Sequence, residues 1–568
     1  MATDYFFDYN RGSDSNDGLT KDTAWASLSK IVAVTAAGPD DFFLLEGESR
    51  WKLDYAVGSD GRVAPPTSWT GNRKHPVVIS GYTYSSQETR KPTVVFHHEI
   101  AASEWVYDAN LNGWLWTAPS AHINTMGLLR LADTWLANYV DQAAGIEGTT
   151  TGAVASIDGR YNKTSTNNKL LLYAPAGRNP TEYYGKVIYS PEATGAFTLS
   201  SGRKCIVVQD INFEDTGAGV LMYSGTAVEA NFVARRLSGS RVSSMVSMSS
   251  DTVGVLEALV EDCDISDYGA IGIHASSGGG AGMKSVKITR NKLRKGGHLQ
   301  SQGGIYVQVR NSAREFITEV SYNDISGYIW GTRDKGYDGC GIYCETGADG
   351  VLVFGNVVRD QYCAFQDNSG RANNWMGNVA SNVRLGFRLS DQQDNNQSHV
   401  RLINNTILCG NLNQVPSEWG SSQGSEYPGV WMYKSSGGNL NVTATNNLIA
   451  NLGAGTARAA FGLPDRAGTM SLDGNWLYGF GADTMVASSN SSAGSLTNAG
   501  TADPRPYLMA DGALYLPATA TVSSVAADNP LAKAGSYVQG VKLKNGRLRP
   551  GFCPIGAYQA VLPRSARA

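Results

Sequence analysis

Charge is scarce in this 568-residue chain: only 17% of residues are Asp, Glu, Lys or Arg, and the formal net charge is −3. Binding along a phosphate backbone needs a clustered basic excess, so nucleic acid is not an expected partner. No stretch approaches the roughly 18 apolar residues of a membrane span, and the opening MATDYFFDYNRGSDSNDG holds no apolar leader. No membrane insertion is expected, and the chain reads as soluble. Cysteine is sparse and odd in number, seven in all. Cys340 and Cys344 are four apart, which fits no common zinc spacing. Buried free thiols, synthesis in a reducing cytosol, and no metal or cofactor are the expectations.

Glycine is abundant instead, with 65 residues, beside 27 Tyr and 12 Trp. An asparagine returns through the middle of the chain at 291, 323, 356, 378, 405, 447 and 475, spacings of 32, 33, 22, 27, 42 and 28. Self-similarity at such periods is a solenoid signature, with a shortest unit near 22 lengthened by insertions. The flanks alternate and are β-branched, as in SVKITRNKL and HVRLINNTI, so the repeats read as strands. Asparagines at one corner of each coil can bond their amides to the coil above. The predicted fold is all-β, a right-handed single-stranded parallel β-helix.

A second column runs through Gly219-Val220, Gly272-Ile273, Gly304-Ile305, Gly341-Ile342, Ala364-Phe365, Gly386-Phe387 and Gly429-Val430. Side chains alternate faces along a strand, so the next position faces outward: Leu221, His274, Tyr306, Tyr343, Gln366, Arg388 and Trp431. The following inward row is apolar except at Asp367. A buried acid is costly, so that coil is expected to slip by one and present Asp367 outward.

Four regions follow from these patterns. Residues 1–100 read as a cap and first coils, and 101–192 as an inserted antiparallel β subdomain rich in tryptophan. The main coils with a groove occupy 193–485, and terminal coils with a C-terminal cap occupy 486–568. The acids of GSDSNDG (12–18) lack the spacing of a calcium cage and read as a turn.

Segments 5–31, HPVVISGY (75–82), DGCGIYCETGADGVLVFGNVV (338–358) and the closing PIGAYQ together resemble right-handed β-helix polysaccharide-degrading proteins. Bacteriophage tailspike depolymerases are the subset most similar. That resemblance implies a bacterial surface polysaccharide as partner, a homotrimer, and a place in the virion tail after synthesis in the host cytoplasm. An extracellular bacterial polysaccharidase is the alternative.

Loop lengths point to one side of the rod. The gap from the asparagine corner to the glycine column is 8 at Asn356 and Asn378, but 13 at Asn291, 18 at Asn323 and 24 at Asn405. Long loops 324–340 and 406–428 would wall a groove whose floor offers Asp360, Tyr362, Gln366, Asp367, Arg384 and Arg388. Coils rise by roughly 4.8 Å, so such a groove spans several sugars and an endo-acting cut is implied.

Glycosidic hydrolysis needs two carboxyls, about 5 Å apart for retention or about 6.5 to 9.5 Å for inversion. Glu345 and Asp367, 22 residues apart, make the leading pair, and Asp338 is the third candidate. Substrate contacts are expected from Trp330, Arg333, Lys335, Tyr343, Gln366, Arg388, Trp419 and Trp431, because rings stack on sugar C–H faces. The rival chemistry is β-elimination, with a cation and base drawn from Arg333, Lys335, Tyr343 and Arg388. A non-catalytic glycan-binding adhesin or tail protein is the third reading.

Overall fold

The computed structural model describes residues 2–500 apart from short stretches and the segments 54–60, 84–89, 118–126, 137–160, 278–282, 298–302, 310–316, 328–339, 392–397, 411–428, 435–439 and 487–492. It is an all-β parallel β-helix carrying an antiparallel β insertion, and it divides into two compact units. The expected closing strand at 553–561 lies outside the described residues.

One unit is built mainly from Met1–Met283. Strands Asp4–Phe7, Phe42–Glu46, Val77–Tyr82, Ile206–Gln209, Glu229–Arg235 and Val255–Glu261 pair in parallel in that order. A second stack runs from Arg50–Leu53 through Thr93–Phe96 and Asn212–Ser224 to Ser238–Ser250. Between them the chain turns at Asp210 and Arg236, both at positive φ and each followed by a buried leucine or isoleucine (Ile211, Leu237). The short polar side chain of Asp tolerates that backbone, and the apolar residue after it plugs the coil.

The insertion holds two four-stranded antiparallel sheets, one from His98–Glu99, Gly127–Leu131, Thr134–Leu136 and Val187–Pro191, the other from Val106–Asp108, Gly113–Thr117, Tyr161–Thr164 and Lys169–Leu172. Trp116 is buried there, stacked on His98 at 5.6 Å, and donates to Glu104. The acids of the 12–18 segment serve the turn. Asp14 accepts from the Ala26 and Ser27 amides, and Asp17 from the Leu19 amide and the Thr23 hydroxyl.

The other unit contains Ile305–Tyr328 and the chain from Asp338. One stack runs through Ile317–Ser321, Leu352–Phe354, Asn374–Met376, Ser398–Ile403 and Leu440–Thr445. A second runs through Asp324–Ser326, Val357–Asn368, Val379–Asp391, Thr406–Cys409 and Leu448–Asn451. A third runs from Cys340–Cys344 across the later halves of Val357–Asn368 and Val379–Asp391 to Val430–Lys434 and Ala457–Leu463.

The predicted asparagine ladder is the corner between the first two stacks. At every step from Asn291 to Asn447, both the backbone N–H and the Nδ2 amide donate to Oδ1 of the next asparagine, at 2.9–3.1 Å. From Asn323 to Asn475, each Nδ2 also donates to a backbone carbonyl of the preceding coil. All seven asparagines are buried. The residue before most of them (Arg290, Tyr322, Gly355, Gly377, Asn404, Asn446) sits at positive φ, which swings the amide into the stack.

The glycine column has an equally local cause. A Cβ on Gly386 would lie 2.6 Å from the Gly429 carbonyl oxygen and 2.4 Å from Ile407. In the first unit the aligned register is Val220, Val246, Ile273. Sequence reading passed over the Val246 coil because Met245 stands where the others carry glycine.

The six described cysteines are free, five of them buried. His97 is buried too; its Nδ1–H donates to the Asp215 carbonyl while Nε2 has no partner, and burial pushes the imidazole down to about 4.

Two outcomes are expected. Asn378→Ala removes an acceptor and a donor from the ladder and should lower unfolding free energy by about 2 to 4 kcal/mol, read from denaturant midpoints. The folded chain holds His97 neutral while the unfolded chain protonates it near its ordinary value, so its contribution is complete above about pH 6.5 and lost as pH falls towards 4. Midpoints should drop across that window, and His97→Gln should flatten the slope.

Candidate functional site

The third stack of the second unit places its rows as the strand alternation requires. Ile305, Ile342, Phe365, Phe387 and Val430 are in register and fully buried. The next row outward, Tyr306, Tyr343, Gln366, Arg388 and Trp431, is also in register.

No slip occurs at Asp367. It pairs with Cys344 on one side and Leu389 on the other, so its side chain takes the interior position. It is fully buried and accepts from Trp375 Nε1 at 2.9 Å and Asn373 Nδ2 at 3.1 Å. Those donors offset part of the cost of burying the acid, which is why the register need not shift. Asp367 therefore does not stand beside Glu345 as a second surface carboxylate. Its charge, after burial itself, helps hold the neighbouring Cys344 thiol well above its ordinary range.

Glu345 follows the strand Cys340–Cys344 and stays half-buried, its amide bonded to the Val307 carbonyl at 2.8 Å. The Tyr343 hydroxyl donates to its Oε2, and the Thr346 amide donates to Oε1 at 2.6 Å. Asn368 donates its amide to the same Tyr343 oxygen. The Asn368 carbonyl oxygen then accepts from Ser390 Oγ at 2.8 Å and Gln366 Nε2 at 3.1 Å. Gln366 Oε1 faces Arg388 Nη1 at 3.5 Å, and the guanidinium lies 5.6 Å from the Trp431 ring centroid. Tyr306 meets Tyr343 edge-on at 5.1 Å.

The result is one bonded network, Glu345–Tyr343–Asn368–Gln366–Arg388–Trp431, crossing successive coils. The sequence placed five of these residues in the site and overlooked Asn368 and Ser390. Both share the side-chain parity of Glu345, and that was the available signal. The row also differs from a solvated groove floor: Tyr343, Gln366, Asn368, Arg388 and Trp431 are all buried, and Trp431 supports the guanidinium rather than offering an open ring. Polar groups that bond to one another tolerate burial better than unbonded ones, and in low dielectric their bonds are stronger.

Asp360 is exposed at positive φ and accepts from Asn382 at 2.7 Å, while Arg384 lies 5.5 Å from the Tyr362 ring. Trp330, Arg333, Lys335, Asp338 and Trp419 lie outside the described residues. His274 belongs to the first unit, where Ser247 Oγ is 3.4 Å from its Nδ1. Among the described residues, no three His, Cys, Asp or Glu side chains converge as metal ligands would.

No family model matches the chain, and no curated protein matches its sequence. Solved structures do resemble it. The complex of XylC with xylose is 11% identical over 99% of both chains, with a TM-score of 0.54. Pectate lyase Pel9A is 11% identical over 99% of this chain and 97% of its own, with a TM-score of 0.38. A GH136 lacto-N-biosidase from Eubacterium ramulus is 12% identical over 79% of this chain and 64% of its own, with a TM-score of 0.39. Likeness at such identity concerns the fold alone.

Asp367→Ala should cost about 2 to 4 kcal/mol by leaving the Trp375 and Asn373 donors unpaired inside the coil. Asp367→Asn keeps an acceptor for the indole and should cost less than half as much, read by thermal unfolding of both proteins.

Proposed function

We propose that the chain is an endo-acting enzyme that cleaves polysaccharide at the Glu345 end of the buried polar network. The observation that carries this reading is the fixed Glu345 carboxylate, gripped by a phenol and a backbone amide and linked through Tyr343, Asn368 and Gln366 to Arg388. A carboxylate and a hydroxyl on one coil, with a guanidinium two coils on, suit successive sugars, whose hydroxyls need positioned partners.

Hydrolysis is the first reading, with Glu345 as one of the two required carboxyls. Asp367, buried inside the coil, is set aside as its partner in this reading, and Asp338 is the sequence candidate taken for the second acid. β-Elimination from a uronic acid is the second reading, favoured by the Tyr343–Arg388 connection through Asn368 and Gln366. In it, the cation would neutralise the sugar carboxylate while a base removes the neighbouring proton. The substrate we infer is a bacterial capsule, exopolysaccharide or O-antigen, and the assembly a phage-tail homotrimer; light scattering on the purified chain tests the trimer.

The function is tested by incubating the protein with a panel of bacterial polysaccharides. Chain length, new reducing ends and the ultraviolet absorbance of a new double bond are followed together. Hydrolysis shortens chains without absorbance, and elimination adds it. Glu345→Gln should slow cleavage by about a hundredfold or more with an unchanged melting temperature. Full activity in that variant would remove Glu345 from the chemistry, and no shortening of any glycan would leave a binding protein.

A further inference from the structure

A concavity lies in the first unit, far along the sequence from Glu345 and serving no role in the cleavage reading. It is a cleft of about 770 Å³ whose lining includes Tyr9, Leu28, Val32, Trp51, Lys52 and Arg62. That volume lies within the roughly 300 to 1,000 Å³ of small-ligand sites.

Three features give the cleft a chemical preference. Tyr9 is 55% exposed and meets Trp51 edge-on at 6.4 Å, so a largely exposed ring stands beside a fixed indole. Trp51 itself is buried and its Nε1 donates to the Ala26 carbonyl at 2.8 Å, which locks the floor. Among the described residues the lining contains two cations, Lys52 and Arg62, and no acid.

Lys52 already pairs with Glu99 at 3.5 Å. Arg62 has no carboxylate partner among the described residues. Its backbone is anchored, because the adjoining Val63 exchanges hydrogen bonds with the Ala196 carbonyl and the Thr198 amide at 2.8 and 2.9 Å. The buried guanidinium of Arg203 bonds to Ser200 and Pro65 rather than to an acid, and burial together with the charge of Arg62 pushes it down to about 10.

We propose that this cleft binds a carboxylate-bearing sugar, with the ring of Tyr9 against the sugar's C–H face and the fork of Arg62 on its carboxylate. Aromatic stacking and bidentate guanidinium–carboxylate pairing are the two contacts such a ligand uses. The site stands independently of whether the chain cleaves glycans, and it would tether an acidic polymer to the protein.

The test is calorimetric titration of the full chain with a hexuronic-acid trimer and with its neutral, carboxyl-reduced counterpart. The acidic trimer should bind at least about tenfold more tightly. Arg62→Met should erase that preference, Arg62→Lys should keep part of it because charge remains without the fork, and Tyr9→Ala should weaken both ligands. Glu345→Gln should leave the Arg62-dependent binding in place, which separates this site from the proposed cleavage site. Equal affinity for acidic and neutral trimers, an unchanged isotherm in folded Arg62→Met and Arg62→Lys proteins, or no saturable binding would overturn the proposal.

Discussion

A buried amide that finds its partners only in the neighbouring coil fixes where that coil begins. In the second unit each ladder asparagine from Asn323 on is acceptor for two donors of its neighbour and donor to a carbonyl one coil back. An unpaired amide in such a place costs about 1 to 3 kcal/mol. A slip of one residue in any coil would break both of its junctions, so register propagates along the stack. Loops of very different length can then leave the rod without disturbing the strands on either side.

That fixed register is what joins the outer row into one bonded network rather than a set of separate side chains. Tyr343, Gln366 and Arg388 come from three coils of different length yet stand in line, because Ile342, Phe365 and Phe387 beneath them are in register. The rings of Phe365 and Phe387 pack at 4.9 Å, with Trp375 5.5 Å from each. Trp375 also donates its indole proton to Asp367, so the same side chain fills the core and satisfies an acid buried in it. A carboxylate held from both sides, as Glu345 is, has little side-chain freedom left to lose.

The parts of this architecture written in periodic residues were legible in the sequence. The ladder, the inward column and the outward row all follow from a spacing and an alternation, and strands such as Phe42–Glu46 and Val77–Tyr82 formed where short apolar runs met glycine. Asp367 was misplaced for a specific reason. Its donors, Asn373 and Trp375, lie beyond the strand's end and enter from the next face, so alternation within one strand could not reveal them. The burial of the outer row was likewise hidden, since parity says which way a side chain points and not what it then bonds to. The cleft beside Tyr9 and Arg62 is assembled from segments with no shared period, and nothing in the spacing marks it.

The most direct test of the central claim is a crystal structure of Glu345→Gln protein with a non-cleaved oligosaccharide bound. Sugar hydroxyls or a glycosidic oxygen within hydrogen-bonding reach of residue 345, with the chain running across coils beside Tyr343 and Arg388, is the arrangement expected. A glycan seated on another face of the rod, with the Tyr343–Asn368–Arg388 network untouched, would make that network a structural feature and move the chemistry elsewhere.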